Sequence, residues 1–147
     1  MLTDVQLRSA SHSDLQQIVA LLERCRLPAA DVVQIIENFH IALCDGRIVG
    51  CAATEHHGTS ILIRSVAVEP AYRERGIASR LVEALLMRAR GTEVRDAYLL
   101  STVAPAYFAR WGFSVIPAEE APPEVTASSA FQRATQTSAR CMRCELR

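Results

Sequence analysis

The most informative stretch of the sequence is Val66-Ala-Val-Glu-Pro-Ala-Tyr-Arg-Glu-Arg-Gly-Ile-Ala-Ser-Arg-Leu81. It starts inside the longest apolar run, 61–68, which predicts a central strand whose pleat breaks at the polar pair Arg64 and Ser65. From residue 75 to residue 90 the apolar residues recur at helical spacing. The sequence therefore predicts a buried strand, a tight loop and a long amphipathic helix in direct succession.

The loop between this strand and this helix suits a phosphate group. A helix usually begins with a capping side chain and acidic residues, because its free amides and its dipole favour negative charge. Here Arg73 and Arg75 stand with Gly76 and Ala78, so positive side chains lie beside small residues that allow close backbone approach. This combination is typical of anion sites. A surface turn with two solvated arginines is the alternative.

The rest of the chain supplies the other elements of a sheet. Periodicity and turn residues predict a strand at 5–9, a helix from Leu15, a second helix after Pro28, and hairpin strands at 39–44 and 48–53 around Asp45-Gly46. They also predict a strand at 97–100, a helix at 106–111, a strand at 113–116, a loop at 117–130 and a final edge strand at 141–146. The order β-α-α-β-β-β-α-β-α-β-β predicts one α/β domain, 1–147, with a mixed, mostly antiparallel sheet flanked by helices.

Composition argues against several classes of protein. Lys+Arg and Asp+Glu both number 16, so no general positive field attracts nucleic acid or anionic lipid. No apolar run approaches the roughly 20 residues of a membrane span, and the start MLTDVQLRSA does not read as a secretory signal. A cytoplasmic location and five reduced cysteines are expected. Cys141 and Cys144 have CxxC spacing, but neither a redox turn nor a second metal-ligand pair is nearby, so no metal is predicted.

The chain resembles the Gcn5-related N-acetyltransferase (GNAT) superfamily. The family's R/Q-x-x-G-x-G/A pattern maps onto Arg73-Glu-Arg-Gly76-Ile-Ala78, between a central strand and a long helix. Further similarity to the amino-acid N-acetyltransferase branch lies in Gly50-Cys-Ala-Ala53, Ser101-Thr102 and Gly112-Phe113. The small stand-alone arsenic-resistance N-acetyltransferases look most similar.

The resemblance implies a site for acetyl-CoA on this strand and loop. The pantetheine arm would pair with main-chain groups of Val66 and Val68, and the pyrophosphate would meet the amides of residues 74–79. The residues assigned to the coenzyme are Val66, Ala67, Val68, Arg73, Glu74, Arg75, Gly76, Ile77, Ala78, Ser79 and Phe108.

Two catalytic side chains common in the family have no counterpart here. In many members a Tyr on the helix before Gly-Phe protonates the departing thiolate, and that position holds Phe108, with Tyr107 about 100° away around the helix. The Glu that often serves as general base early in the central strand is absent from Ile61-Leu-Ile-Arg-Ser65. Ser101 matches a hydroxyl position of the amino-acid branch. Ser101 and Tyr107 are therefore the catalytic candidates, with Thr102 and ordered water as alternatives.

Arg64 and Glu55 are the candidates for contact with the acceptor. A buried guanidinium needs an acidic partner or an anionic ligand, so Arg64 forms either a structural salt bridge or a contact with substrate carboxylate or coenzyme. The acidic-amino-acid acetyltransferases that the chain resembles hold a dicarboxylate with basic side chains at three places. In this chain those places hold the loop Leu27-Pro-Ala-Ala-Asp31, Glu55 and Gln136, so the three expected cations are missing. Repulsion by Glu55 of about 1 kcal/mol would weaken glutamate binding about tenfold. A neutral or basic amino-acid-like amine is expected instead.

The sequence thus predicts an N-acetyltransferase that uses acetyl-CoA and a small-molecule amine, with arsenic resistance implied by the resemblance. Two alternatives stay open. One is acetylation of a protein or peptide amine, and the other is a catalytically silent module that binds acetyl-CoA. Neither nucleic acid nor a membrane is an expected partner, and a homodimer is left open.

Overall fold

A computed structural model describes residues 4–102 and 105–146, and residues 1–3, 103–104 and 147 lie outside the described residues. The strands are β1 (Gln6–Ser9), β2 (Phe39–Cys44), β3 (Arg47–His57), β4 (Ser60–Val68), β5 (Asp96–Ser101), β6 (Phe113–Val115) and β7 (Arg140–Glu145). The helices are α1 (Leu15–Arg24), α2 (Ile77–Arg90), α3 (Pro105–Ala109), α4 (Pro123–Thr126) and α5 (Ser129–Thr135).

The strands form one seven-stranded sheet in the order β1-β2-β3-β4-β5-β7-β6. β4 and β5 pair in parallel, whereas β1 with β2, β2 with β3, β5 with β7 and β6 with β7 pair antiparallel. The predicted mixed, mostly antiparallel sheet with flanking helices is confirmed. No helix among the described residues is long and apolar enough to cross a membrane.

The chain divides into two compact units. The first comprises Met1–Thr54 and Ser65–Leu85, and the second comprises Glu55–Arg64 and Leu86–Arg147. The prediction of one domain over 1–147 stays a prediction.

In the first unit, α1 buries an apolar face against β2 and β3. Ile18, Leu21 and Leu22 are fully buried in a cluster that includes Phe39 and Ile41. The predicted hairpin between β2 and β3 is confirmed, because Asp45 and Gly46 both have positive φ, 51° and 76°, as a two-residue turn between twisted strands requires.

The predicted second helix after Pro28 is wrong. Two 3-10 turns, Val32–Gln34 and Ile36–Asn38, take its place. Only Val32 and Ile36 are fully buried in this segment, and two short 3-10 turns are enough to bury both side chains. The β-branched pairs Val32-Val33 and Ile35-Ile36 also disfavour a continuous helix.

In the second unit, β7 is a central strand and not the predicted edge strand. It lies between β5 and β6, with Cys141, Met142 and Cys144 buried. The side chains of these three residues lie on both faces of β7, so both faces of this strand are packed against other parts of the unit.

The segment predicted as a loop at 117–130 carries α4 and the start of α5. Pro123 opens α4, and the Ser128 hydroxyl caps α5 by accepting a hydrogen bond from the Phe131 amide at 3.1 Å. Val125 and Phe131 pack in a cluster with Leu62 and Tyr98, so a second hydrophobic cluster stabilises these short helices.

Candidate active site

The loop after β4 contains two residues with left-handed backbone, and its main chain at Gly76 borders open space. A 3-10 turn covers Pro70–Tyr72, and α2 begins at Ile77. Glu74 and Gly76 have φ of +63° and +80°, and a side chain added at Gly76 would meet nothing within 4 Å. The first turn of α2 contains no acidic residue. This space and the positive end of the helix dipole fit an anionic group.

The two arginines predicted to bind an anion both contact groups of the first unit. The Arg73 Nε atom donates to the Val68 carbonyl at 2.9 Å, and its Nη2 atom lies 3.5 Å from the sulfur of Cys25. The Arg75 guanidinium lies 5.3 Å from the ring centroid of Tyr72. Arg73 thus bonds to the carbonyl that the resemblance assigns to the pantetheine arm. The Cys25 thiol also donates to this oxygen, at 3.8 Å.

A glycine on β3 allows α2 to lie close to the sheet. A Cβ atom at Gly50 would come within 3.0 Å of Ile77 Cγ2 and 3.2 Å of Leu81 Cδ1. The bare backbone therefore lets the first two turns of α2 pack directly on β3, which positions the helix N-terminus. Sequence reasoning gave Gly50 no role, although a glycine inside an apolar strand is a signal of close approach.

The predicted break in β4 is confirmed at Ser65, whose φ is +56°. The Cys51 thiol donates to the Ser65 carbonyl at 3.4 Å, and burial raises the pKa of Cys51 to about 12. This thiol is therefore protonated at neutral pH. Ala67 and Val68 are buried and Val66 is half-buried, so main-chain groups are what this part of β4 can offer a ligand.

In the second unit, Arg64 and Glu55 come together as an ion pair. Arg64 Nη1 lies 2.5 Å from Glu55 Oε2, and His57 Nε2 lies 2.9 Å from Glu55 Oε1. Arg64 is only 8% exposed. The structural salt bridge is the alternative that this geometry supports. The expected tenfold weakening of glutamate binding assumes a Glu55 carboxylate without a cation beside it. The Arg64 guanidinium offsets that charge, so Glu55 should repel a substrate carboxylate less than expected.

The catalytic candidates lie on β5 and α3 in the second unit. Ser101 is the last residue of β5 and is half-buried. Tyr107 is also half-buried, and its ring centroid lies 5.6 Å from that of Trp111 and 4.9 Å from the guanidinium carbon of Arg110. Both candidates are thus partly accessible side chains that carry a hydroxyl group.

Phe108 belongs to an aromatic cluster. Its ring centroid lies 4.9 Å from that of Tyr107, 5.9 Å from that of Trp111 and 6.1 Å from that of Phe113, and Phe108 is buried. The contacts with Tyr107 and Phe113 are edge-on, and the contact with Phe113 joins α3 to β6. Phe108 cannot donate a proton, so any acid on α3 must be another group.

The CxxC pair lies on β7 with both thiols buried. Side chains three residues apart point to opposite faces of a strand, so Cys141 and Cys144 cannot form a disulfide without rearrangement of β7. Burial raises the pKa of Cys141 to about 11. The described residues contain no group of three or more His, Cys, Asp or Glu side chains that could hold a metal ion.

The family model for the acetyltransferase (GNAT) domain matches residues 36–115, which include β2 to β6 and the loop before α2. The chain belongs to the GNAT acetyltransferase family. This match confirms the resemblance drawn from the Arg73–Ala78 motif.

Several known proteins are similar to this GNAT chain. An amino-acid acetyltransferase of Actinobacillus pleuropneumoniae serotype 5b is 30% identical over 100 residues, 67% of this chain and 23% of that protein. An amino-acid acetyltransferase of Neisseria meningitidis serogroup A is 30% identical over 127 residues, 80% of this chain and 29% of that protein. The chain thus spans about a quarter of the length of these curated relatives.

A solved structure shares the fold over the whole chain. N-acetylglutamate synthase from Neisseria gonorrhoeae, complexed with coenzyme A and N-acetyl-glutamate, superposes with a TM-score of 0.83 at 25% identity. The match covers 100% of this chain and 36% of that chain.

Proposed function

We propose that this GNAT chain is an N-acetyltransferase that takes acetyl-CoA as donor and a small amino-acid-like amine as acceptor. The observation that carries the proposal is the open, left-handed backbone at Gly76 directly before α2. Amides of residues 74–79 would hold the pyrophosphate, and main-chain groups of Val66 and Val68 would pair with the pantetheine arm.

The residues present fit this coenzyme. A Cβ atom at Gly76 would project into open space beside the main chain, where we place the phosphate, and an acidic residue in the first turn of α2 would repel that phosphate. Bound acetyl-CoA supplies the acetyl group: the acceptor nitrogen bonds to the carbonyl carbon, the carbon–sulfur bond breaks, and the nitrogen's proton passes to the thiolate. Ser101 and Tyr107 carry the hydroxyl groups that we assign to proton transfer and carbonyl polarisation.

The acceptor's charge is the finer part of the proposal. The relatives are named amino-acid acetyltransferases, which favours an amino-acid-like amine. The Arg64–Glu55 pair has no net charge, so it offers a dicarboxylate no excess of positive charge. Neutral or basic amino acids should therefore be turned over with higher kcat/KM than glutamate. In Glu55→Lys, provided that circular dichroism shows a folded variant despite the loss of the salt bridge, kcat/KM for glutamate should rise relative to that for a neutral amino acid.

Thiol release from acetyl-CoA with a panel of amines tests the activity directly. The panel should contain glutamate, neutral and basic amino acids, an arsenic-bearing amino acid for the proposed resistance role, and a lysine peptide. Release above the no-acceptor rate with a free amino acid supports the proposal. Thiol release with the lysine peptide alone would show that the acceptor is a protein or peptide amine and not a free amino acid. Binding of coenzyme A without thiol release for any amine would indicate a catalytically silent module. A cytoplasmic location and a homodimer stay predictions.

A further inference from the structure

Glu69, the residue between β4 and the loop at 70–76 where we place the pyrophosphate, is held in place by hydrogen bonds of both its main chain and its side chain. Its amide donates to the Val49 carbonyl at 2.8 Å. Its carboxylate receives two bonds from one guanidinium, Arg24 Nε to Oε1 at 3.0 Å and Arg24 Nη2 to Oε2 at 2.5 Å. A second guanidinium, that of Arg47, lies 3.8 Å from Oε2. This two-bond geometry fixes the orientation of the carboxylate as well as its position.

The loop at 70–76 buries few groups of its own, and its bonds to the rest of the unit come from Arg73, to the Val68 carbonyl and the Cys25 sulfur, and from the Tyr72 amide to the Glu69 carbonyl. Of residues 70–76 only Tyr72 is even half-buried, whereas Glu69 is 9% exposed. A segment with so few buried groups is easily displaced, so its conformation depends on contacts at its ends. One end is α2, which Gly50 allows to pack on β3. The other end is Glu69, bound to the last residue of α1.

The charge on Glu69 is secure at neutral pH. The hydrogen bonds from Arg24, followed by the charges of Arg24, Arg47 and Arg73, keep the pKa of this carboxyl below its ordinary value. The carboxylate therefore accepts from Arg24 whenever the protein is folded near pH 7.

We propose that Glu69 is a positioning residue, which Arg24 orients so that the loop at 70–76 holds the pyrophosphate of acetyl-CoA. The inference rests on the proposed function and adds that affinity for the coenzyme is set from α1, through a residue that need not touch the ligand. Loss of the Arg24–Glu69 geometry should weaken coenzyme binding and leave the chemical step unchanged.

The sign of the effect separates positioning from simple electrostatics. Glu69 is a negative charge beside a proposed anion site, so its neutralisation would tighten anion binding if charge alone mattered. Positioning predicts the opposite for Glu69→Gln, which keeps the size of the side chain and loses one charge-assisted hydrogen-bond acceptor. Glu69→Asp keeps the charge and shortens the reach, so positioning predicts weaker binding there too.

The experiment measures coenzyme A binding by calorimetry and acetyl-CoA kinetics on the full chain. We expect Kd for coenzyme A and KM for acetyl-CoA to rise about tenfold in both Glu69 variants, with kcat within about twofold of the unmodified protein. The matched control is Asp14→Asn in the same unit, where Arg8 also donates two bonds to one carboxylate, at 2.8 and 3.0 Å. That variant should lose stability and keep the unmodified Kd.

Wild-type Kd in both folded Glu69 variants would overturn the inference, and so would tighter binding in Glu69→Gln with no change in Glu69→Asp. Should the Glu69 variants fail to fold, Arg24→Gln breaks the same pair from a side chain that is 49% exposed, and an unchanged Kd there overturns the inference equally. The double variant Arg24→Gln/Glu69→Gln should bind no more weakly than the weaker single variant, because the two residues act as one unit. Failure of the unmodified protein to bind coenzyme A would instead refute the proposed function.

Discussion

The loop at 70–76, where we place the pyrophosphate, and the Arg64–Glu55 pair differ in what determines their structure. At Gly76 a φ of +80° is a property of one residue, and glycine adopts it without steric cost. The role of Arg64 depends on a carboxylate nine residues away, on a different strand. A site made of backbone is thus encoded by its own residue types, whereas a site made of paired side chains is decided by the packing around it.

The largest effect is expected at the ion pair. Arg64→Met should lower the free energy of unfolding by about 3 kcal/mol, since it leaves the Glu55 carboxylate half-buried without its cation. Urea denaturation measures this change. Arg64→Met/Glu55→Leu should recover at least half of the loss, because an apolar pair carries no unpaired charge. Equal instability of the single and double variants would show that the Arg64–Glu55 pair does not stabilise the protein.

The next effect tests the loop. Gly76→Val should raise Kd for coenzyme A about 30-fold, or about 2 kcal/mol, because a branched side chain fills the space before α2. Gly46→Val is the matched control: its φ is +76°, and its Cβ atom would also meet nothing within 4 Å. Both variants carry the same backbone strain, so equal coenzyme affinities in the two would remove the loop assignment.

A smaller effect tests whether the loop is determined by its backbone. Glu74 has a φ of +63°, which costs an ordinary residue about 1–2 kcal/mol. Glu74→Gly removes that cost and adds roughly 0.5–1 kcal/mol of unfolded-chain entropy, so the protein should gain about 0.5 kcal/mol of stability. Glu74→Ala should show no such gain. Thermal unfolding of the two variants side by side decides the matter, and a loss of stability in Glu74→Gly would argue for a contact made by the carboxylate.

The smallest effect is expected outside both regions. Cys141→Ser/Cys144→Ser should leave kcat of acetyl transfer within about twofold, because these buried thiols point to opposite faces of β7. The same kinetic assay measures it, with circular dichroism to confirm folding. A large fall in kcat in the folded variant would make the thiols part of the chemistry.

Much of the fold could be predicted because the signals are local. The predicted strand at 39–44 coincides with β2, and the Asp45-Gly46 turn lies where expected. The helix predicted at 75–90 is α2, which begins two residues later, at Ile77. The errors have a common cause. Each error concerns a segment whose structure depends on contacts with distant parts of the chain: the turns at 32–38, the helices α4 and α5, and the central strand β7. Val125 and Phe131, for example, are buried by a cluster that includes Leu62 and Tyr98.

Local residue types were enough to predict the loop at 70–76, since a glycine at a left-handed position and the lack of acidic residues at a helix start act on the backbone at their own positions. The pairing of Arg64 with Glu55, and of Glu69 with Arg24, 45 residues earlier in the chain, depends on tertiary packing. Ion pairs of this kind need two side chains at hydrogen-bonding distance. That distance follows from strand register and helix packing, which no single stretch of sequence contains.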